Sequence, residues 1–316
     1  MVERGKGRMM EEYRKDVMKA LEAMLGEGYE ITPQDRRDNN CPVLHGICIR
    51  KKGEAVAPVI YLEELISYCL LEKVPPEQLP KTLLQIYRQE EISQDIADGL
   101  DDFGKLKDLV RIKLINYEAN AEALEARPHR RFLDLAVVYY LDLEKKTGME
   151  ETTAEITDRV ALAWGITEEE LHRLGMERLL HDDGCRIIET SDILRDVMKG
   201  EPEEELREIE RSLKREVDMC MAGCRGQRFG AACLFNASFL QETAEKKGCD
   251  LLIYPSSIYE IVILAYRNWD EDRISPQVVR EINEKELPRE ERLSNCIYRY
   301  GREKKEVSIF RKGDPL

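Results

Sequence analysis

The feature that most constrains this chain is a set of short apolar runs paired across polar turns. "CPVLHGICIRKKGEAVAPVIYL" reads as a strand through Ile47 to Arg50, a turn at Lys51 to Glu54, and a second strand through Val59 to Tyr61. "SNCIYRYGREKKEVSIF" repeats the plan near the other end, turning at Gly301 to Lys304. "VDMCMAGCRGQRFGAACLF" reads as a further hairpin with its turn near Gly226. Strands joined by tight turns must pair antiparallel, because a parallel crossover needs a dozen or more residues.

Between the hairpins the apolar period changes to that of a helix. Met10, Tyr13, Val17, Leu21 and Met24 recur at steps of three and four, and Gly26 and Gly28 follow as a stop. "LEELISYCLLEK", "PPEQLPKTLLQIYRQE", "NASFLQETAEKKG" and "SPQVVREINEKEL" are further helices. "GITEEELHRLG" opens on a capping box, with Thr167 as cap and Glu170 three residues on. The run Phe132 to Leu143 fits a strand or a buried helix equally well.

Three stretches, "VIYLEELISYCLLEK", "LINYEANAEALEA" and "LFNASFLQETAEK", pass from a short strand into a helix. The last two place Asn116 and Asn236 at the junction, where asparagine is a good cap. The expected class is α+β, a mainly antiparallel sheet built from hairpins with helices packed against it. The expected organisation is an N-terminal α+β lobe over 1–105, a middle strand-helix segment over 106–198, and a charged helix or linker over 199–216. A C-terminal α+β lobe over 217–316 completes it, either separate from the middle segment or packed with it. In "KGEPEEELREIERSLKRE", Glu and Arg recur at helical steps, which favours a solvated helix over a linker.

Charge and composition exclude several classes. A net charge of -14 opposes broad attraction to nucleic acid or anionic membrane, since phosphate binding needs clustered cations. No apolar run reaches the roughly 20 residues needed to span a bilayer. The basic start has no apolar stretch after it, so no secretory signal is expected, and a cytoplasmic location follows. Nine cysteines, an odd number spread along the chain, fit reduced thiols better than a disulfide framework.

Three places are candidates for function. "YPSSIYE" offers Ser256, Ser257 and Glu260 for a hydrolase or transferase. The spacing from Ser257 to Glu260 also fits a capping box at the start of a short helix, and no histidine follows His181 to serve as base. "RPHRR" is the densest basic cluster away from the ends, so Arg127, His129, Arg130 and Arg131 are candidates to hold an acidic peptide, a phosphate or a carboxylate. The alternative is a solvated turn between helix and strand. Cys220 and Cys224 fall on one face of a strand and are weak metal candidates, lacking the further ligands that a closed site needs. His45 reads as a packed or edge-strand residue, and no phosphate loop, dinucleotide fingerprint or other cofactor motif is present.

The segments "VLHGICIRKKGEAVAPVIYLEEL", "LINYEANAEALEARPHRRFLDLAVVYYLDLE", "WGITEEEL" and "GAACLFNASFLQETAEKKGCDLLIYPSSIYEIVIL" together resemble an uncharacterised bacterial family, a domain of unknown function abundant in gut clostridia. The resemblance carries no activity, substrate or catalytic residue with it. Members often have histidine where this chain has Tyr259, and a simpler hairpin where it has "MCMAGCRGQRFG". The expected function is therefore a non-enzymatic module that binds a protein or peptide, through a sheet edge or beside "RPHRR", with the hydrolase or transferase as the alternative.

Overall fold

The first helix ends where its hydrophobic periodicity suggests, with Gly26 in the left-handed region at φ +70°, but it begins at Val2, eight residues before the first apolar position of the stripe, Met10. The computed structural model describes residues 2–52, 59–71, 73–75, 78–89, 102–144, 153–181, 184–188, 204, 219–224, 228–255, 257–266 and 275–316. The charged stretch 199–216, apart from residue 204, and the turn expected near Gly226 lie outside the described residues. The chain forms two compact units, Met1–Asp102 and Phe103–Leu316. Among the described residues, no helix is long and apolar enough to cross a membrane.

The first unit holds α1 (Val2–Leu25), β1 (Tyr29–Arg37), β2 (Val43–Lys51), β3 (Val59–Tyr61), α2 (Leu62–Leu71) and α3 (Leu79–Gln89). The three strands make an antiparallel sheet in the order β1-β2-β3. Val17 and Leu21 of α1 pack with Ile47 and Ile49 of β2 and with Leu62, Leu65 and Leu83 of the other helices. Met24, expected on the buried stripe, is 47% exposed, and Leu25 packs against the core instead. Strand β1 has no counterpart in the sequence reading. Its residues "YEITPQDRR" show no apolar alternation, yet they pair with β2 along nine registered positions. An edge strand tolerates such polarity, and it tolerates Pro33.

The second unit holds α4 (Phe103–Leu106), β4 (Val110–Asn116), α5 (Ala121–Leu124), β5 (His129–Phe132), β6 (Leu135–Asp142), β7 (Thr153–Glu155), α6 (Asp158–Trp164) and α7 (Glu168–His181). It continues with β8 (Cys185–Ile188), β9 (Met219–Cys224), a 3-10 stretch Gly230–Phe235, α8 (Ala237–Lys247), β10 (Asp250–Tyr254), β11 (Ile261–Tyr266), α9 (Pro276–Glu286), β12 (Ile297–Gly301) and β13 (Glu306–Arg311). One antiparallel sheet runs β4-β6-β5, with β7 on the far half of β6. A second runs β13-β12-β10-β11-β9-β8. These open antiparallel sheets with packed helices make the class α+β.

Several local expectations change. The run Phe132 to Leu143 is resolved as strand: β6 is buried at every position from Leu135 to Leu141, which erases the alternation expected of a strand with one wet face. The hairpin expected over "VDMCMAGCRGQRFGAACLF" does not form. Its first half is β9, which pairs with β8 and β11, while its second half is the 3-10 stretch, whose small residues Gly230, Ala231 and Ala232 are buried. Asn236 caps α8 as expected, accepting the Phe239 amide at 3.0 Å. Asn116 accepts the Ala119 amide at 3.0 Å from the end of β4, and the cap position of α5 belongs to Asn120.

Gly46 shows how closely the first sheet is packed. A Cβ there would lie 2.3 Å from the Gln34 carbonyl oxygen and 2.6 Å from Val59 Cγ1, and the backbone oxygen cannot rotate away. Gly46→Ala is expected to destabilise the first unit by about 1–3 kcal/mol in urea unfolding. Gly28→Ala, with nothing within 4 Å of the added carbon, should stay within about 0.5 kcal/mol of the parent.

Candidate functional site

The basic cluster "RPHRR" is not a solvated turn. Its last three residues are in β5, the terminal strand of the β4-β6-β5 sheet, registered as His129 against Val138, Arg130 against Val137 and Arg131 against Ala136. Alternation turns Arg130 to one face of the sheet and His129 and Arg131 to the other. The His129 ring lies 6.0 Å from the Tyr117 ring, and the Arg131 guanidinium carbon lies 4.4 Å from that same ring's centroid. His129 Nδ1 bonds the Arg127 carbonyl at 2.9 Å, so that nitrogen carries the proton.

The three cations have different partners. Arg127 pairs with Glu155 at 2.6 Å, and Arg130 donates Nε and Nη2 to the two oxygens of Glu168 at 3.2 and 2.9 Å. Arg131 donates Nε to the Leu133 carbonyl at 3.2 Å and has no carboxylate partner among the described residues. Among the described residues it is stacked on Tyr117 without a counter-charge, on the terminal strand of its sheet.

On the opposite face, Glu168 is the centre of a network that no sequence motif announces. It opens α7, and it takes the Tyr139 hydroxyl proton as well as the two bonds from Arg130. Burial alone would raise the Glu168 pKa, but the hydrogen bonds from Arg130 and Tyr139 outweigh it and leave the carboxyl below its usual range. Burial, reinforced by the hydrogen bond to Glu168, lifts the Tyr139 phenol far above its usual range. His172 Nδ1 stands 3.2 Å from the Tyr139 oxygen. The single phenol proton goes to Glu168, so His172 Nδ1–H must be the donor in that contact. Burial and then the Arg130 charge lower the His172 pKa, which keeps the imidazole neutral near pH 7.

Ser257 is fully buried, and its hydroxyl oxygen accepts the Tyr259 amide at 2.9 Å and the Glu260 amide at 3.4 Å. The expected helix does not follow. The serine side chain makes the cap-like bonds, but the backbone passes into β11 and is fixed by the Ile258 amide on the Glu291 carbonyl at 2.9 Å. Burial raises the Glu260 pKa, the Ser257 hydrogen bond opposes that, and the Glu291 charge adds to it. Ser256 lies outside the described residues.

Cys220 is registered against Ile263 and Cys224 against Cys185, and the Cys224 thiol donates to the Gly230 carbonyl at 3.4 Å. Among the described residues, no group of three or more His, Cys, Asp or Glu side chains is arranged to hold a metal ion. His45 bonds Glu63 through Nδ1 at 2.7 Å and through its own amide at 2.9 Å, linking β2 to the start of α2. A polar cavity of about 400 Å³ lies at the β12–β13 turn, where Asp250 accepts Arg299 Nε at 2.8 Å and the Arg302 amide at 3.0 Å.

Comparison with known protein families gives a match over most of the chain. The family model described as "Family of unknown function (DUF5688)" covers residues 10–302. No curated protein and no solved structure matches the chain.

The His172 geometry fixes the sign of a pH effect. A histidine whose folded pKa is lowered stays neutral in the native state while the unfolded chain takes up a proton, so stability falls as pH drops below about 6.5. Urea unfolding of the parent and His172→Gln at pH 7 and pH 5 should show a smaller loss in the variant. Equal losses would contradict the neutral, Tyr139-bonded imidazole.

Proposed function

The chain belongs to the family of unknown function whose model matches residues 10–302, and on that premise we propose that it is a cytoplasmic, non-enzymatic module that binds an acidic, extended segment of another protein along β5. The observation that carries this reading is Arg131, a cation held over Tyr117 at the open edge of a sheet without a carboxylate of its own among the described residues. An added strand would take its main-chain hydrogen bonds from the outer side of β5, and its side chains would alternate between the two faces. Acidic residues spaced by two would then meet Arg131 on one face.

Cations on an edge strand also discourage pairing with a second copy of the same strand, so the charge favours an unlike, acidic partner. The pairing of Arg130 with Glu168 does not close the other face. Both side chains are partly exposed, and exposed ion pairs are worth only about 0–1 kcal/mol, which a ligand carboxylate can offset. The serine site supports chemistry less well, because the Ser257 oxygen is buried and occupied by two amides.

Peptide display against the full chain should enrich sequences with Asp or Glu at alternate positions. Arg131→Glu should weaken the selected peptides at least tenfold, about 1.4 kcal/mol, and binding of the parent should fall as salt is raised. Selection without an acidic bias, or equal binding by the variant, would overturn the proposal.

A further inference from the structure

The structure gathers three thiols at one end of the six-stranded sheet. Cys185 of β8 lies directly opposite Cys224 of β9 in the antiparallel register. Cys233, fully buried in the 3-10 stretch that packs on β9, stands within hydrogen-bond reach of both. Gly230 makes that approach possible: a Cβ on it would lie 2.7 Å from the Cys224 amide nitrogen and 2.3 Å from the Tyr259 carbonyl oxygen.

A fourth group completes the cluster. The Asn236 side chain bonds Cys185, and its oxygen is already taken by the Phe239 amide, so the amide nitrogen is what faces the sulfur. Asn236 is also the cap of α8, an 11-residue helix whose amino end carries a partial positive charge. The Cys224 thiol proton is taken by the Gly230 carbonyl, so Cys185 can receive the Cys233 thiol proton and an Asn236 amide proton beside a helix start, and each of these favours its thiolate. Its pKa is lowered by the neighbouring thiols Cys224 and Cys233 and by Asn236, whereas burial above all pushes Cys233 up. Cys185 and Cys224 are half-buried, within reach of a small solute, and Cys233 is not.

We propose that Cys185 and Cys224 form a peroxide-oxidised thiol pair, with Cys185 as the attacking sulfur, Cys224 as the resolving one, and Cys233 and Asn236 as positioning residues. The Cys185 thiolate attacks one oxygen of hydrogen peroxide, the O–O bond breaks, and hydroxide leaves to give a sulfenic acid. The Cys224 sulfur then attacks that sulfur, the S–O bond breaks to release a second hydroxide, the thiol proton and one solution proton convert the two hydroxides into two waters, and the disulfide remains. The pairing is geometrically open: opposite residues in an antiparallel pair have Cα atoms about 4.5–5.5 Å apart, within the roughly 4.4–6.8 Å that a disulfide spans. The product would join the edge strand β8 covalently to β9.

Alkylation of the full-length reduced protein with iodoacetamide, read by peptide mass mapping, tests the thiolate. An ordinary thiol gains about tenfold in rate per pH unit below its pKa of roughly 8.5. Cys185 should instead react at a flat rate from pH 5 to 8. At pH 5 it should outpace the other eight thiols by about tenfold or more, even after allowing for the lower nucleophilicity of a low-pKa thiolate. One equivalent of hydrogen peroxide should then link Cys185 to Cys224 in a non-reducing map, and in Cys224→Ser dimedone should trap Cys185 as the sulfenic acid. A Cys185 rate that climbs with pH like its neighbours', or a peroxide product joining another pair, overturns the proposal. Both of these readouts use the parent protein, so they stand even where a cysteine variant fails to fold.

Discussion

One half-buried carboxylate organises the larger unit. Asp134 lies in the two-residue turn between β5 and β6, accepts the Ser294 hydroxyl and the Tyr298 hydroxyl at 2.6 Å each, and uses its carbonyl to take the Tyr117 amide at 2.9 Å. Ser294 and Tyr298 are fully buried, so without Asp134 their hydroxyls would each lose a charged acceptor. Hydrogen bonds to a charged acceptor contribute about 1.5–3 kcal/mol each. They hold a turn whose other residue, Leu133, is in the left-handed region at φ +56°, a conformation that costs a non-glycine residue about 1 kcal/mol or more. Through these contacts the tip of the β5–β6 hairpin is tied to β12, and Asn116 adds a second tie by donating to the Leu293 carbonyl at 3.2 Å.

The consequence for function is rigidity at the edge strand. β5 has only four residues, too few to hold its place by ladder bonds alone, yet Asp134 anchors its turn, Tyr117 supports Arg131 on one face, and Glu168 holds Arg130 on the other. An edge strand presented this way is preorganised, so an added strand would bear most of the ordering cost itself. The thiol cluster is in the other sheet of the same unit and involves none of these side chains.

Much of the secondary structure was legible in the sequence because the hairpins and amphipathic helices follow their own periods. What escaped had specific physical causes. β1 is a polar edge strand with a proline, so neither composition nor alternation marks it. β6 is buried on both faces, and its uniform apolar run hides the period of two. Ser257 does make the serine half of a capping box, accepting the Tyr259 and Glu260 amides, but local chemistry alone could not say whether a helix or a strand would follow. At the candidate site, Arg130 and Arg131 could be found as a basic cluster, whereas Tyr139, Glu168 and His172 converge only through tertiary packing of β6 against α7. Likewise Cys224 was visible as half of a spacing, and its partner Cys185 only through strand register.

The central claim is that β5 receives an acidic strand. Amide hydrogen exchange on the full chain, with and without a saturating acidic peptide selected on it, tests this most directly. The account predicts slowed exchange in residues 129–132, concentrated at the amides that do not face β6, together with slowing at the Leu133–Asp134 turn. Unchanged exchange across β5 with protection appearing elsewhere would contradict it.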